Sequence, residues 1–102
     1  MKTYYVLTTR HRDFTRPNSD FMFMNCFQSE KSAIEAMHKA FIEFLGITYD
    51  GDIKEYMNNP RHPSQRVRKH EAQATRGLRM KKWTITKKEI DYENLHTHYF
   101  VS

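Results

Sequence analysis

The chain has 102 residues, which suits one small domain, and a single cysteine excludes an intramolecular disulfide and a zinc site built of cysteines. Its net charge is +5, its mean hydropathy is −0.86 and 14% of its residues are aromatic. The low hydropathy is typical of disordered chains, whereas the aromatic content indicates a packed core. No apolar run approaches the roughly 18 residues that span a bilayer. Tyr4–Leu7 is too short for the core of a signal peptide. We therefore expect a soluble cytoplasmic protein with no membrane partner.

Positive charge is concentrated in one stretch of the chain. Residues 60–88 carry ten basic side chains and one acidic side chain, for +9, while the other 73 residues sum to −4. Such a density is typical of a surface that binds a polyanion, or of a solvated loop. The candidate nucleic-acid-binding residues are Arg61, Arg66, Arg68, Lys69, Arg76, Arg79, Lys81, Lys82, Lys87 and Lys88.

The first predicted elements are two strands that pair as an antiparallel hairpin. Thr3–Thr9 is rich in β-branched and aromatic residues, and Phe21–Phe27 places apolar side chains on both of its faces. A polar turn, Pro17–Asp20, lies between them. Because both faces of the second strand are apolar, we expect it at the centre of a sheet, or with a partner on its second face. Cys26 is then a buried, inert thiol.

The most regular pattern predicts a helix over Glu30–Leu45. Its apolar residues recur at the i, i+3, i+4 and i+7 spacing of one helical face, as in Ile34, Met37 and Phe41. Ser29 is the expected N-cap, and Gly46 suits the left-handed position that ends a helix. We expect the apolar face of this helix to pack against a sheet.

The segment after the helix is predicted as a charged excursion. Asp52–Met57 has a short helical pattern, and a basic, mobile insertion is expected at about residues 58–78. Within it, Ser64–Arg76 has a composition compatible with a helix but few apolar side chains to anchor one.

Two more strands are predicted towards the end of the chain. Alternation resumes at Leu78, with Trp83 and Ile85 as core residues, and His96–Val101 forms the last strand. The order is then strand, strand, helix, excursion, strand, strand. We expect a single α+β domain over residues 1–102, with about four antiparallel strands and one main amphipathic helix on one face.

Nucleic-acid binding, preferably to RNA or single strands, is the main functional hypothesis. A sheet covered by one helix leaves its other face free, and exposed aromatic side chains there stack on unpaired bases. The candidate stacking residues are Tyr5, Trp83 and Tyr99. No RRM signature, GxxG clamp or Cys/His finger is present in the sequence, and no cofactor is indicated. We expect a non-enzymatic accessory protein.

Two other classes of function stay open. The basic stretch also suits an acidic protein partner, whereas the acidic segments, residues 30–59 and 89–102, suit a basic one. Opposite charges within one chain favour a homo-oligomer that weakens with salt, and each of these contacts suits an inhibitor or adaptor. A small metal-independent ribonuclease would need His11 with His62 or His70 as base and acid, but nothing in the sequence fixes their geometry. His96 and His98 share one face of a predicted strand, yet two ligands are too few for a metal site. We assign no catalytic residue and no metal.

In overall composition, the chain resembles small accessory proteins encoded by bacteriophages, which are aromatic-rich and mixed in charge. The resemblance covers no specific residues. It implies a phage-type inhibitor that binds a host defence or toxin system, with RNA sometimes involved, rather than a catalyst.

Overall fold

A computed structural model describes residues 2–16, 20–46 and 65–90. These residues form one sheet and one helix, in the order β1 (Lys2–Asp13), β2 (Phe21–Phe27), α1 (Glu30–Leu45), β3 (Arg66–Val67), β4 (Glu71–Arg76) and β5 (Arg79–Ile90). The five strands of this described part are antiparallel and lie side by side as β2-β1-β5-β4-β3. The predicted α+β class is confirmed, and the described part contains three of the predicted strands with β3 and β4 in addition. No helix in the described ranges is long and apolar enough to cross a membrane.

The predicted hairpin of the first two strands is confirmed, but the predicted position of β2 is wrong. Tyr5 lies opposite Phe27 and His11 opposite Phe21. No described strand pairs with the other side of β2, so it is an edge strand of the described sheet rather than a central one. Its side chains are exposed on both faces over Phe21 to Cys26, and the Cys26 thiol is exposed instead of buried. The apolar residues on both faces of β2 are therefore exposed at the protein surface rather than buried.

The helix α1 has the predicted bounds and the predicted caps. The Ser29 hydroxyl accepts a hydrogen bond from the Ser32 N–H at 3.1 Å, which satisfies one of the unpaired donors of the first turn. At the other end, Gly46 has φ 69° and its N–H donates to the Ile42 carbonyl. Because an L side chain is strained at this φ, glycine suits the position.

The described part of the charged excursion Ser64–Arg76, whose composition is compatible with a helix, forms strands instead. Val67, Ala72 and Ala74 are fully buried, and their spacing puts all three on one face of β3 and β4. Small side chains on β4 let α1 pack closely on the sheet. Gly77 has φ 60° in the two-residue turn that joins β4 to β5. Within the predicted insertion, Arg66–Val67 and Glu71–Arg76 are thus strands of the sheet.

The core lies between α1 and one face of the sheet, here called the helix-side face. Leu7, Trp83 and Ile85 contribute from the two long strands, and α1 contributes most through Met37 and Phe41. The other face of the sheet, the second face, is covered by no described element. The register puts odd-numbered residues of β1, β2 and β5 on the helix-side face and even-numbered residues on the second face.

Several predicted features lie outside the described residues. These are the helical piece Asp52–Met57, the first part of the basic insertion at 58–64 and the last strand His96–Val101.

Candidate nucleic-acid interface

The basic residues of the 60–88 stretch are distributed over three places in the fold. On the helix-side face lie Arg76, Arg79, Lys81 and Lys87; on the second face lie Arg66, Lys82 and Lys88; in the turn between β3 and β4 lie Arg68 and Lys69. Arg61 lies outside the described residues. The +9 block is therefore not one surface, because side chains alternate between the faces of a strand.

Three of these cations contact carboxylates at the protein surface. Arg79 Nε is 3.8 Å from Asp13 Oδ2, Lys82 Nζ is 3.6 Å from Glu71 Oε1, and Lys69 Nζ is 3.6 Å from Glu30 Oε1. Exposed pairs of this kind contribute about 0–1 kcal/mol each. Because these ion pairs are weak, a phosphate can replace the carboxylate next to each cation.

Arg76 and Lys81 meet the C-terminal end of α1. Arg76 Nη1 donates a hydrogen bond to the Phe44 carbonyl at 3.2 Å, and Lys81 Nζ lies 5.3 Å from the centre of the Phe44 ring. The last turn of α1 contains no basic residue of its own. Cations from β4 and β5 therefore complement the negative end of the helix dipole.

A groove of about 1100 Å³ runs between α1 and the helix-side face of β1 and β2. Its walls are apolar where the helix and sheet meet, and one part is bordered by charged side chains. The apolar lining includes Leu7, Phe23, Phe27, Ala36, Ala40, Phe44 and Trp83. The charged lining consists of Arg16, Arg76, Arg79 and Lys81 with Asp13 and Glu43. Four cations against two carboxylates make this part of the groove attractive to anions.

Three rings on the helix-side face of β1 and β2 form a stacked series, here called the ring row: His11, Phe21 and Phe23. The His11 and Phe21 ring centres are 4.7 Å apart with planes at 29°, and those of Phe21 and Phe23 are 6.2 Å apart at 18°. Phe21 is 53% exposed and Phe23 44%. Exposed aromatic faces of this kind stack on unpaired bases.

His11 connects the ring row to the cations. It lies directly opposite Lys81 on β5, and its Nδ1 is buried without a hydrogen-bond partner among the described residues. Burial lowers the pKa of His11 below 6.5, and the positive charge of Lys81 lowers it further, against an opposing effect of Asp13. His11 is thus a neutral ring at pH 7.

Hydrogen bonds hold the loop that follows β1. Arg12 donates through Nε and Nη2 to the Asp20 carboxylate at 2.8–3.1 Å, and this bond lowers the pKa of Asp20. The Asp13 carboxylate accepts bonds from the hydroxyl and the N–H of Thr15, which lower the pKa of Asp13. The described residues on both sides of residues 17–19 are thus bonded to the end of β1.

The predicted stacking residues do not form the aromatic surface that the structure shows. Trp83 is 1% exposed and packs edge-on against Phe41 and Phe44, so no base can reach it, and this prediction is corrected. Tyr5 is half-buried against the core, on the helix-side face opposite Lys87. Tyr99 lies outside the described residues.

The sequence predicts a central or covered position for Phe21–Phe27 and indicates His11 only as a catalytic base or acid, so it does not predict the ring row. The available signal was the spacing of two residues between the two Phe side chains. It showed that they share a face, but not that this face is exposed.

The histidines proposed for nuclease chemistry are not brought together where they are described. His70 Nε2 is 3.3 Å from Glu30 Oε2, in the turn between β3 and β4. The His70 carbonyl accepts a hydrogen bond from the Ile85 N–H, whereas His11 lies opposite Lys81. Ile85 and Lys81 are four residues apart on β5, so the two histidines contact positions roughly 13 Å apart along this strand. His62, His96 and His98 lie outside the described residues. Within the described ranges, no group of three metal-ligating side chains is found.

Comparisons with protein families, with curated proteins and with solved structures found no match to this chain. The functional argument therefore depends on the geometry of the groove and the ring row.

Proposed function

We propose that the protein binds single-stranded nucleic acid, preferably RNA, along the groove and the ring row. The observation that carries this proposal is a juxtaposition on one face of the sheet. The exposed rings of Phe21 and Phe23 adjoin a groove bordered by Arg79 and Lys81. Bases stack on aromatic rings and phosphates contact Arg and Lys, so one nucleotide can place its base on the rings and its phosphate on the cations.

The apolar part of the groove favours a single strand over a duplex. Its lining presents Phe23, Phe27 and Phe44, which are partners for base faces rather than for phosphates. The bases of a duplex are stacked on one another and hide those faces, whereas unpaired bases can splay onto a protein surface. We therefore expect RNA loops or single strands to bind more tightly than duplex DNA.

The proposed role is that of a non-enzymatic accessory protein of the cytoplasm, a compartment in which an exposed thiol such as Cys26 stays reduced. A phage-type inhibitor would use this site to occupy an RNA on which a host defence or toxin system acts.

The first prediction tests the ring row and its cations by fluorescence anisotropy with a labelled single-stranded RNA, a single-stranded DNA and a duplex DNA. The double variant Phe21→Thr, Phe23→Thr should weaken RNA binding by roughly 5- to 100-fold, because stacking contributes about 1–3 kcal/mol per base. The double variant Arg79→Gln, Lys81→Gln should also weaken binding. It should reduce the slope of log K against log salt by about 0.7 for each lost phosphate contact.

The matched control is the double variant Lys82→Gln, Lys88→Gln, which removes the same charge from the same strand on the second face. It should keep RNA affinity within about twofold at about 200 mM NaCl. An equal loss in this control would show that net charge, not this site, carries the binding. Absence of RNA binding at about 50 mM NaCl would show that the proposed function is wrong.

A further inference from the structure

The two edges of the described sheet differ in length and in chemistry. The β3 edge has two residues, Arg66 and Val67, and so is short and charged. The β2 edge has seven residues, Phe21–Phe27, with no charged side chain, no proline and no glycine. Proteins protect sheet edges with short strands, charges or proline, and β2 has none of these devices. Since no strand of residues 2–16, 20–46 and 65–90 pairs with its outer side, β2 offers backbone groups there to another strand.

The exposed side chains of β2 supply an apolar surface that suits an interface. Phe21, Met22, Phe23 and Met24 are 53%, 57%, 44% and 61% exposed. With a full surface of about 200 Å² for a large side chain, they expose roughly 400 Å² per copy. Two copies therefore expose at most about 800 Å² through these side chains, and main chain and flanking residues must add to the part that is buried to reach the roughly 1,000 Å² of a specific interface.

We propose that a second copy of this chain pairs with β2 through an antiparallel β2–β2 contact. The two strands are then related by a twofold axis perpendicular to the sheet, which continues across the contact. Each copy contributes the same seven-residue strand, so the side chains of one β2 stand beside those of the other on each face of the joined sheet. The helix-side face of Phe21 and Phe23 stays open to a ligand.

Charge opposes a second copy less at this edge than at the other described strands, all of which carry charged side chains. The chain carries +5, so most of its surface repels a second copy, but β2 brings no charge to the contact. The β3 edge has only two residues and cannot pair along the full length of a seven-residue strand. Once the two β2 strands pair, no long edge is left in the described sheet to add a third copy, so the contact gives a closed dimer rather than a fibre.

The pairing joins the two grooves. A twofold axis perpendicular to the sheet keeps both α1 helices on the same side, and β2 lines the groove through Phe23, Asn25 and Phe27. The grooves of the two copies then join across the paired β2 strands into one continuous groove. This inference depends on the edge strand alone, and not on nucleic-acid binding.

The second prediction tests the dimer by sedimentation velocity of the full chain without nucleic acid. The wild type should sediment as a dimer at micromolar concentration. Met24→Lys places a charge at the edge and should weaken dimerisation by at least about tenfold. Thr84→Lys is the matched control, because it adds the same charge to the same face on the central strand β5 and should leave the dimer intact.

A cysteine scan locates the twofold axis. In a Cys26→Ser background, single cysteines are placed at Met22, Phe23, Met24 and Asn25, with the wild-type Cys26 as the fifth position. Only the residue that faces its own copy brings two Cα atoms within disulfide range, so oxidation should cross-link one position strongly. Lys39→Cys on the exposed side of α1 is the control and should not cross-link.

Three results would overturn the proposal. One is a wild-type monomer at high micromolar concentration, and another is cross-linking as efficient at position 39 as on β2. The third is a monomer in which the β2 amides that point away from β1 are protected from hydrogen exchange, which would show that another segment of the chain covers this edge.

Discussion

Trp83 and Phe21 lie in the same sheet, and the position of each strand decides what each ring contacts. Trp83 is on the helix-side face of β5, near the middle of the described sheet, opposite Thr9 and beneath Phe41. Phe21 is also on the helix-side face but belongs to β2, at the edge, and stays 53% exposed. The first ring stabilises the core, whereas the second is available to a ligand or to a second copy.

The third prediction concerns His11, whose pKa is lowered by burial and by Lys81. As pH falls through 6.5, the unfolded chain binds a proton at this residue before the folded protein does, so the free energy of unfolding decreases. His11→Gln removes this contribution. Its stability should therefore fall less than that of the wild type between about pH 7.5 and about pH 5.5 in urea unfolding.

His38 and Asp20 provide internal comparisons for this measurement. Burial also lowers the pKa of His38, so His38→Gln should reduce the pH dependence in the same direction. The pKa of Asp20 is lowered from 3.8 by its bond to Arg12, so its contribution is lost only at more acidic pH. A larger loss of stability in His11→Gln than in the wild type over the same range would contradict the assignment.

At the scale of elements, α1 is defined by its own sequence at both ends. Ser29 and Gly46 cap it where the pattern predicts, because an N-cap hydroxyl and a left-handed glycine act within one turn of the chain. β3 and β4 differ from α1 in this respect. Ala72 and Ala74 are too small to show a clear strand pattern, and only packing against α1 makes their alternation meaningful.

The fourth prediction follows from the left-handed backbone at Gly46. Gly46→Ala should lower the free energy of unfolding by about 1 kcal/mol, because an L residue with φ near 69° is strained. The added Cβ would meet Arg76 Nη1 at 3.6 Å, an ordinary contact, so steric overlap adds little. Urea unfolding measures the change, and Gly46→Asn should lose less, since Asn tolerates this conformation. Equal stability of Gly46→Ala and wild type would contradict this account.

At the scale of the whole molecule, the two proposed contacts use different parts of the described sheet. The cations lie on both faces of β5 and in the turn between β3 and β4, whereas the uncharged β2 lies at the opposite edge of the described sheet. The two proposed contacts should therefore respond to salt in opposite ways. Nucleic-acid binding releases counterions and weakens with salt, whereas pairing of two positively charged copies through a neutral strand strengthens as salt screens their repulsion.

The fifth prediction is this opposite salt dependence, measured on one protein preparation. Between about 50 and about 200 mM NaCl, RNA affinity should fall by roughly tenfold or more. The dimer dissociation constant, from sedimentation equilibrium, should stay constant or decrease over the same range. A dimer that weakens with salt would instead indicate contacts between oppositely charged segments, as the charge pattern of the sequence suggested, and would argue against the β2 contact.

The sequence by itself determined the local features: the bounds and caps of α1, the hairpin of β1 and β2, and the α+β class. Each depends on residues close together in the chain, where periodicity and capping act directly. The tertiary structure alone decided that β2 lies at an edge, that Trp83 is core and that the +9 block divides between two faces. Strand order and register depend on pairing between distant segments, and a change in either moves a side chain between core and solvent without altering the local pattern.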